Sequence, residues 1–274
     1  MSPAMSDRQK TILITGAGSG IGRDAVFALA ARGHKVIAAT LDVAQAAVLR
    51  SECTAKPNAG GANIEVIKLD ITSPADRESV RQREIDVLIN NAGVGDSGSL
   101  AEVDVDRIRK VFEVNVFATI ELSQVVLAGM IARSRGTVLF VSSVAGRLPV
   151  PFLMPYSMSK FALSAAGAAL RSEMDQLGRN IQISLIEPGA IHTGFNQAMT
   201  DRKYEWMARQ SYFRDQIDRL KASETKSFNF LEARDTASIV AKIVIAAEAR
   251  RPKLRYVAPW LQGVGVRIAR ILGA

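Results

Sequence analysis

Six short apolar runs, at residues 11–15, 35–40, 64–69, 86–90, 136–142 and 181–187, recur along the chain with stretches of helical periodicity between them. Each run has the length of a strand. The spacing of apolar residues predicts helices over 23–32, with Ala25, Leu29 and Ala30 on one face, and over 74–84, 104–133, 156–177 and 235–249. Strand and helix in alternation imply a parallel sheet covered on both faces. Right-handed crossovers then make it a doubly wound α/β sheet. No internal repeat or low-complexity linker interrupts the pattern, so the 274 residues read as one domain. Residues 1–10 read as a flexible polar tail, 193–230 as a helical flap, and 255–274 as an amphipathic C-terminal segment.

Composition narrows the function classes. Hydrophobic residues make up 48% of the chain and charged residues 23%, as in a globular protein with a full core. The single cysteine, Cys53, excludes an intrachain disulfide and fits a reducing, cytoplasmic setting. His34 and His192 lack metal-ligand spacing, so no metal site is expected. No run of 18 apolar residues occurs, and residues 1–10 lack the apolar stretch of a signal peptide. The net charge of +8 suits an anionic partner such as a dinucleotide, a phospholipid face or an acidic substrate. The basic residues are scattered and match no nucleic-acid motif, so nucleic acid is not the expected partner.

The first run ends in Thr15-Gly16-Ala17-Gly18-Ser19-Gly20-Ile21-Gly22, placed between a strand and a helix. Glycines there let the backbone turn tightly against a pyrophosphate, and the helix N-terminus offers free N–H groups to the anion. In another context the same cluster would be a plain turn. The fourth run ends in Asn90-Asn91-Ala92-Gly93, whose small residues either leave room for a ligand at the sheet edge or form an ordinary turn. Asp70, followed by Ile71 at the end of the third run, either accepts from an adenine amino group or caps the next helix.

Tyr156 and Lys160 stand four residues apart, on one face of a helix. An ammonium beside a phenol favours the phenolate, so the pair can move a proton to or from a substrate oxygen. By itself the spacing also describes a solvated helix face. Ser142 and Ser143, at the end of the fifth run, add hydroxyls able to bond an oxygen on which charge develops.

Taken together these motifs resemble those of a classical short-chain dehydrogenase/reductase. The matching residues are the glycine turn from Thr15 to Gly22, Asn90-Asn91-Ala92-Gly93, Asn115, Ser143, Tyr156-x-x-x-Lys160, and Pro188-Gly189 with Thr193. They occur in family order over about residues 11–194. The resemblance implies a Rossmann fold, NAD or NADP as cofactor, and hydride transfer to or from an alcohol or ketone. It implies Tyr156 as general acid and base, Ser143 as the hydroxyl that orients the carbonyl, and Ser142 as its structural neighbour. Lys160 would tune Tyr156 and hold the nicotinamide ribose. Asn115 would hold a water of the proton relay, although on the residues alone it reads as a polar break in the helix over 104–133. Gly16, Ser19, Gly20, Ile21 and Gly22 would meet the pyrophosphate. Thr40, Asp70, Ile71, Asn91, Ala92 and Gly93 would follow the adenosine and ribose, and Pro188, Gly189 and Thr193 the carboxamide. Two departures stand out. The connection from Asp70 to Asp86 is shorter than usual. At the end of the second strand Thr40 replaces the acid common in NAD-binding members, with no basic residue beside it and Asp42 two positions on. That leaves the choice between NAD and NADP open.

Aromatic and methionine residues of the flap (Met199, Trp206, Met207, Tyr212, Phe213), with Pro151, Phe152, Leu153 and Met154, suggest an apolar, steroid- or lipid-like substrate, or else pack the flap on the core. A 3-oxoacyl thioester reductase and a catalytically silent dinucleotide-binding regulator or scaffold are the alternatives. A sugar epimerase would need more chain than the roughly 80 residues after Thr193. The resemblance also implies a homodimer or homotetramer through the long helices, where Ala162, Ala165, Ala166, Ala168 and Ala169 allow close approach. In the last segment Trp260, Val264, Ile268, Ile271 and Leu272 share a helical face, with Arg267 and Arg270 away from it. That face either docks on the flap or a neighbouring subunit, or makes a peripheral contact with an anionic membrane.

Overall fold

The computed structural model describes residues 9–57 and 60–272. Seven parallel strands form its sheet: β1 (Thr11–Thr15), β2 (Lys35–Thr40), β3 (Ile64–Lys68), β4 (Val87–Asn90), β6 (Arg135–Val141), β8 (Asn180–Pro188) and β9 (Arg255–Ala258). Their order is β3-β2-β1-β4-β6-β8-β9. Side chains alternate across the sheet, so Ile12 and Ile14 of β1 join one apolar cluster and Leu13 the other. The first cluster is covered by α1 (Gly20–Ala31) and α9 (Ala237–Glu248). The second is covered by α5 (Thr119–Arg133) and α6 (Tyr156–Leu177), through residues such as Leu122, Val126 and Leu163. Each such fully buried side chain stabilises the sandwich by about 1.5–3 kcal/mol. Strand order reverses between β1 and β4, and at that switch point the strand ends part and leave a crevice.

Several elements depart from the expected boundaries. Helix α2 (Val43–Ala55) buries only Ala46, Leu49 and Cys53, too sparse a face to announce itself, and Asp42 caps it by accepting from Gln45 N at 2.8 Å. The helix expected over 74–84 is cut to α3 (Pro74–Glu78). There the Ser79 hydroxyl donates to the Asp76 carbonyl at 2.7 Å and Val80 turns into the core. The run over 104–133 is α4 (Val105–Phe112), a π-turn (Glu113–Ala118) and α5, rather than one regular helix. Among the described residues only Val105–Arg133 is long and apolar enough to cross a membrane, and half of its most apolar window is buried in the fold.

Two further strands, β5 (Ser97–Gly98) and β7 (Met154–Pro155), pair antiparallel and bring the segment after β4 to the start of α6. The flap is helical as expected, with α7 (Phe195–Gln210) and α8 (Ile217–Leu231). Glu224 of α8 accepts from Lys203 Nζ at 2.6 Å and from the Tyr204 hydroxyl at 2.7 Å, which clamps the two helices together.

The C-terminal segment divides into a strand and a helix. Its first residues are β9, paired with β8 from Leu185↔Arg255 to Pro188↔Ala258, and only α10 (Trp260–Ile271) is helical. The apolar face of α10 does not dock on the flap of its own chain. Gly263 and Val266 are buried, whereas Trp260, Val264, Ile268, Ile271 and Leu272 are exposed. The last residues of the expected segment over 255–274, Gly273 and Ala274, lie outside the described residues. So does most of the expected tail, but Gln9 and Lys10 are tied down, by Gln9 Nε2 to Gly33 O at 2.7 Å and Lys10 Nζ to Ala247 O at 2.6 Å.

Candidate active site

The crevice at the switch point is a cleft of about 790 Å³. It runs from the glycine turn, past Asp70, Ile71 and the Asn91-Ala92-Gly93 edge, to Ser143, Tyr156 and Lys160. Pro188, Gly189 and Thr193 line its far side. Residues distant in sequence thus meet because each ends a neighbouring parallel strand.

The Asn90-Asn91 segment is stitched to the glycine turn and is no ordinary turn. Thr15 Oγ1 accepts from the Asn91 and Ala92 N–H groups at 3.1 and 3.0 Å, and Asn91 Nδ2 donates to the Thr15 and Gly16 carbonyls at 2.9 and 3.1 Å. Asn90 faces away and donates to Ser123 Oγ at 2.9 Å. Ser19, in extended backbone, precedes α1 and makes no side-chain cap bond, so the first N–H groups of α1 have no side-chain partner. A dinucleotide fits this cradle: free helix N–H groups for the pyrophosphate, and an open channel from there to the phenol.

Three of the expected site residues do not line the cleft. Thr40 is fully buried, and its hydroxyl lies 3.1 and 3.2 Å from the Asp42 and Ile67 carbonyls. Leu41 and Gln45 line the cleft in its place. Gly22 does not line it either. A Cβ there would sit 2.4 Å from both Asn91 Nδ2 and the Gly16 carbonyl oxygen, so this glycine lets α1 pack beneath the turn. Asn115 lies behind the cleft wall. Its Oδ1 accepts from Val94 N at 2.8 Å, and its Nδ2 donates to Val94 O and Ser159 Oγ, both at 2.9 Å. Its amide hydrogens are thus committed to tying the π-turn to the β4 edge and to α6. Asp70 lines the cleft but does not cap α3, whose cap is Ser73. Its Oδ1 is held by Thr72, through N–H at 2.9 Å and hydroxyl at 2.8 Å.

At the deep end Tyr156 opens α6, and it lines the cleft together with Ser143. Ser143 Oγ accepts from Ala145 N at 3.1 Å and reaches the Pro188 carbonyl at 3.4 Å. Ser142 turns the other way, to Ser164 Oγ at 2.7 Å and the Lys160 carbonyl at 3.1 Å, as a structural neighbour should. Lys160 Nζ donates to the Val141 carbonyl at 2.8 Å and lies 5.6 Å from the centre of the Tyr156 ring. Burial pushes the Tyr156 phenol up to about 12, with the Ser143 hydroxyl acting against it. Burial pulls the Lys160 ammonium down to about 8. The expected lowering of Tyr156 is therefore not met, because desolvation sets the direction of its shift. The phenol stays protonated at neutral pH, the form that donates to a carbonyl oxygen.

The wall beyond Tyr156 is apolar, with Val94, Leu148, Val150, Leu153, Phe195 and Met199. Trp206 and Met207 instead serve packing: Trp206 covers Gly98 and Met207 is fully buried. Only Asp70 and Lys160 are charged among the lining residues, so the net positive charge of the chain does not reside in the cleft. Phe228 of the flap also lines the cleft, as do Leu41, Gln45, Gln262 and Val266, which carried no signal in the sequence. They sit in no motif, and only the fold brings them there.

The model of the short chain dehydrogenase family matches residues 10–204, which include the whole cradle and the Tyr156–Lys160 pair. The chain belongs to that family. Bovine retinol dehydrogenase 8 is 34% identical to this dehydrogenase over 268 residues, covering 92% of this chain and 82% of that protein. Other curated relatives are longer, and the match spans 60% of their length. A short-chain dehydrogenase/reductase from Burkholderia phymatum solved with NAD shares the fold, with a TM-score of 0.79 at 24% identity, over 96% of this chain and 93% of that one. A gluconate 5-dehydrogenase from Burkholderia cenocepacia, solved with NADP and tartrate, is 26% identical with a TM-score of 0.62, over 73% of this chain and 79% of that one. The dehydrogenase is accordingly an oxidoreductase of alcohol or carbonyl groups that uses NAD or NADP.

Proposed function

We propose that this dehydrogenase interconverts an apolar, lipid-like ketone or aldehyde and its alcohol, with Tyr156 as the proton donor and acceptor. The observation that carries the reading is the set of Ser143, Tyr156 and Lys160 gathered at the head of an apolar pocket. Bound in the cleft, the nicotinamide supplies or accepts the hydride. Tyr156 gives its proton to the carbonyl oxygen and recovers it from the alcohol. Ser143 donates to the same oxygen as charge develops on it. Lys160 places a cation beneath the phenol and beside Gly93, where a Cβ would lie 3.6 Å from Nζ and 3.1 Å from Asn115 Oδ1. Asn115 supports this layer from behind. Gly16, Ser19, Gly20 and Ile21 would hold the pyrophosphate, and Gly189 and Thr193 would face the carboxamide. The intact set of Ser143, Tyr156 and Lys160 argues against a silent regulator. The retinol named for the bovine relative is itself an apolar alcohol, as this pocket would require.

The test is a coenzyme-oxidation screen with NADH and NADPH over retinoid and steroid carbonyls, 3-oxoacyl thioesters and keto sugars. The highest kcat/KM is expected with a retinoid or steroid carbonyl. A preference for thioester or sugar refutes the apolar assignment.

Assembly belongs to the same proposal. Phe117, Phe161, Ala165 and Ala169 are exposed on the helices over 105–177, an apolar and small-residue face suited to a second copy. Residues 249–274 hold six basic residues and no acid, beside the exposed apolar face of α10, which suits peripheral contact with an anionic membrane. Flotation with anionic liposomes should be lost in a Trp260→Glu/Ile268→Glu variant, and equal recovery of both proteins removes the contact. The buried free thiol of Cys53 supports a cytoplasmic setting.

A further inference from the structure

Gln262 belongs to no motif, yet its carboxamide joins three elements. Its Oε1 accepts from the Ala190 N–H at 2.8 Å, and its Nε2 donates to the Leu231 carbonyl, at the end of α8, at 2.7 Å. Only this orientation of the amide pairs both groups. Gln262 and Val266, one turn apart on the inner face of α10, both line the cleft. Gly189 records how closely the amide is seated: a Cβ there would lie 2.0 Å from Gln262 Oε1. Any side chain at 189 would expel the amide.

The held backbone matters for the reaction. Gly189 N donates to the Ala258 carbonyl at 2.9 Å, which anchors one side of the loop to β9. On its other side, Ala190 O accepts from Ala233 N and His192 N donates to Ala233 O, both at 2.9 Å. Between these anchors the Ala190 N–H has Gln262 as its partner, and the adjoining Pro188 carbonyl is the one that Ser143 Oγ reaches. The Leu231 end of the same amide fixes the flap, whose Phe228 lines the pocket.

We infer that Gln262 is a positioning residue, which couples the loop of Gly189 and Ala190 at the nicotinamide end of the cleft to the end of the flap helix α8. It touches neither reacting atom. It sets where the loop and the flap stand relative to each other, so its loss weakens binding of coenzyme and substrate more than it slows the chemical step. The inference rests on the proposed reading of the cleft as the site of coenzyme and carbonyl substrate.

Two variants separate its two bonds. Gln262→Glu keeps an oxygen toward the Ala190 N–H and sets a carboxylate against the Leu231 carbonyl. Gln262→Leu removes both bonds at similar volume. Amide hydrogen exchange is read first, without coenzyme. Gln262→Leu should speed exchange in the 189–193 and 230–234 segments, and Gln262→Glu in the second alone. Coenzyme Kd by fluorescence and substrate KM follow. Loss of one such bond is worth about tenfold in binding. Gln262→Leu should raise both constants about tenfold with kcat within about threefold of the native value. Gln262→Glu should raise substrate KM alone. Unchanged exchange in both segments overturns the coupling, as does a fall in kcat with Kd and KM at their native values. Exchange that changes as stated in a protein that binds neither NADH nor NADPH leaves the coupling standing and refutes the reading of the cleft.

Discussion

Lys160→Met should make this dehydrogenase more stable and inactive, and the gain should depend on pH. Lys160 is 5% exposed, and burial pulls its ammonium from 10.5 to about 8. At pH 7 the fold thus holds a charge that its surroundings disfavour by about 3 kcal/mol. Methionine keeps the length and removes the charge, but it strands the Val141 carbonyl that Nζ satisfies, at a cost of about 1–2 kcal/mol. The expected net gain at pH 7 is about 1–2 kcal/mol, or roughly 4 °C in Tm for a chain of this size. Because the folded pKa lies below the unfolded one, the unfolded chain binds more protons between pH 8 and 10.5. The stability of the native protein therefore rises with pH across that window. By about pH 9.5 the native protein should recover about 2 kcal/mol relative to the variant, and the two curves should meet. Above pH 10 Tyr156 acts in the opposite sense, since its phenol is held protonated to about 12, so the comparison stays below that value. Urea unfolding of both proteins at pH 7 and 9.5, without coenzyme, measures the effect. A stability gap that does not change with pH, or a variant weaker at pH 7, would refute the reasoning.

Three further substitutions probe other links. Tyr156→Phe removes the proton donor while leaving the cradle, so kcat should fall by about 10²-fold or more with coenzyme Kd near native; near-normal turnover would remove the residue from its assigned role. Asp42→Arg exchanges an exposed acid beside Leu41 for a cation and gives up the α2 cap, so the kcat/KM ratio should move toward NADPH by about tenfold, with about 1 kcal/mol of stability lost. A ratio that stays put would show that position 42 does not face the ribose. Ala165→Arg sets a long cation in the exposed face of α6 and should reduce the mass by light scattering to the 29.6 kDa of one chain; a monomeric native protein contradicts the assembly proposed.

What the sequence determined by itself is local. The apolar runs mark β1, β2 and β4 because a strand buried on both faces must be apolar throughout. The glycine turn, and the placing of Tyr156 and Lys160 on one helical face, depend on neighbours within a few residues. Tertiary structure decided whatever depends on what packs from afar. It turned Thr40 inward, because β3 places the Ile67 carbonyl beside its hydroxyl. It set Asn115 behind the cleft wall, because the π-turn commits its amide to Val94 and Ser159. It made Arg255–Ala258 a seventh strand, which only pairing with β8 could reveal. It also reversed the expected shift of Tyr156, since desolvation is a property of everything folded around the phenol and not of the lysine four residues away. Gln262 is the extreme case. Its two partners lie 72 and 31 residues away, so nothing local could mark it, and the closed fold alone brings them together.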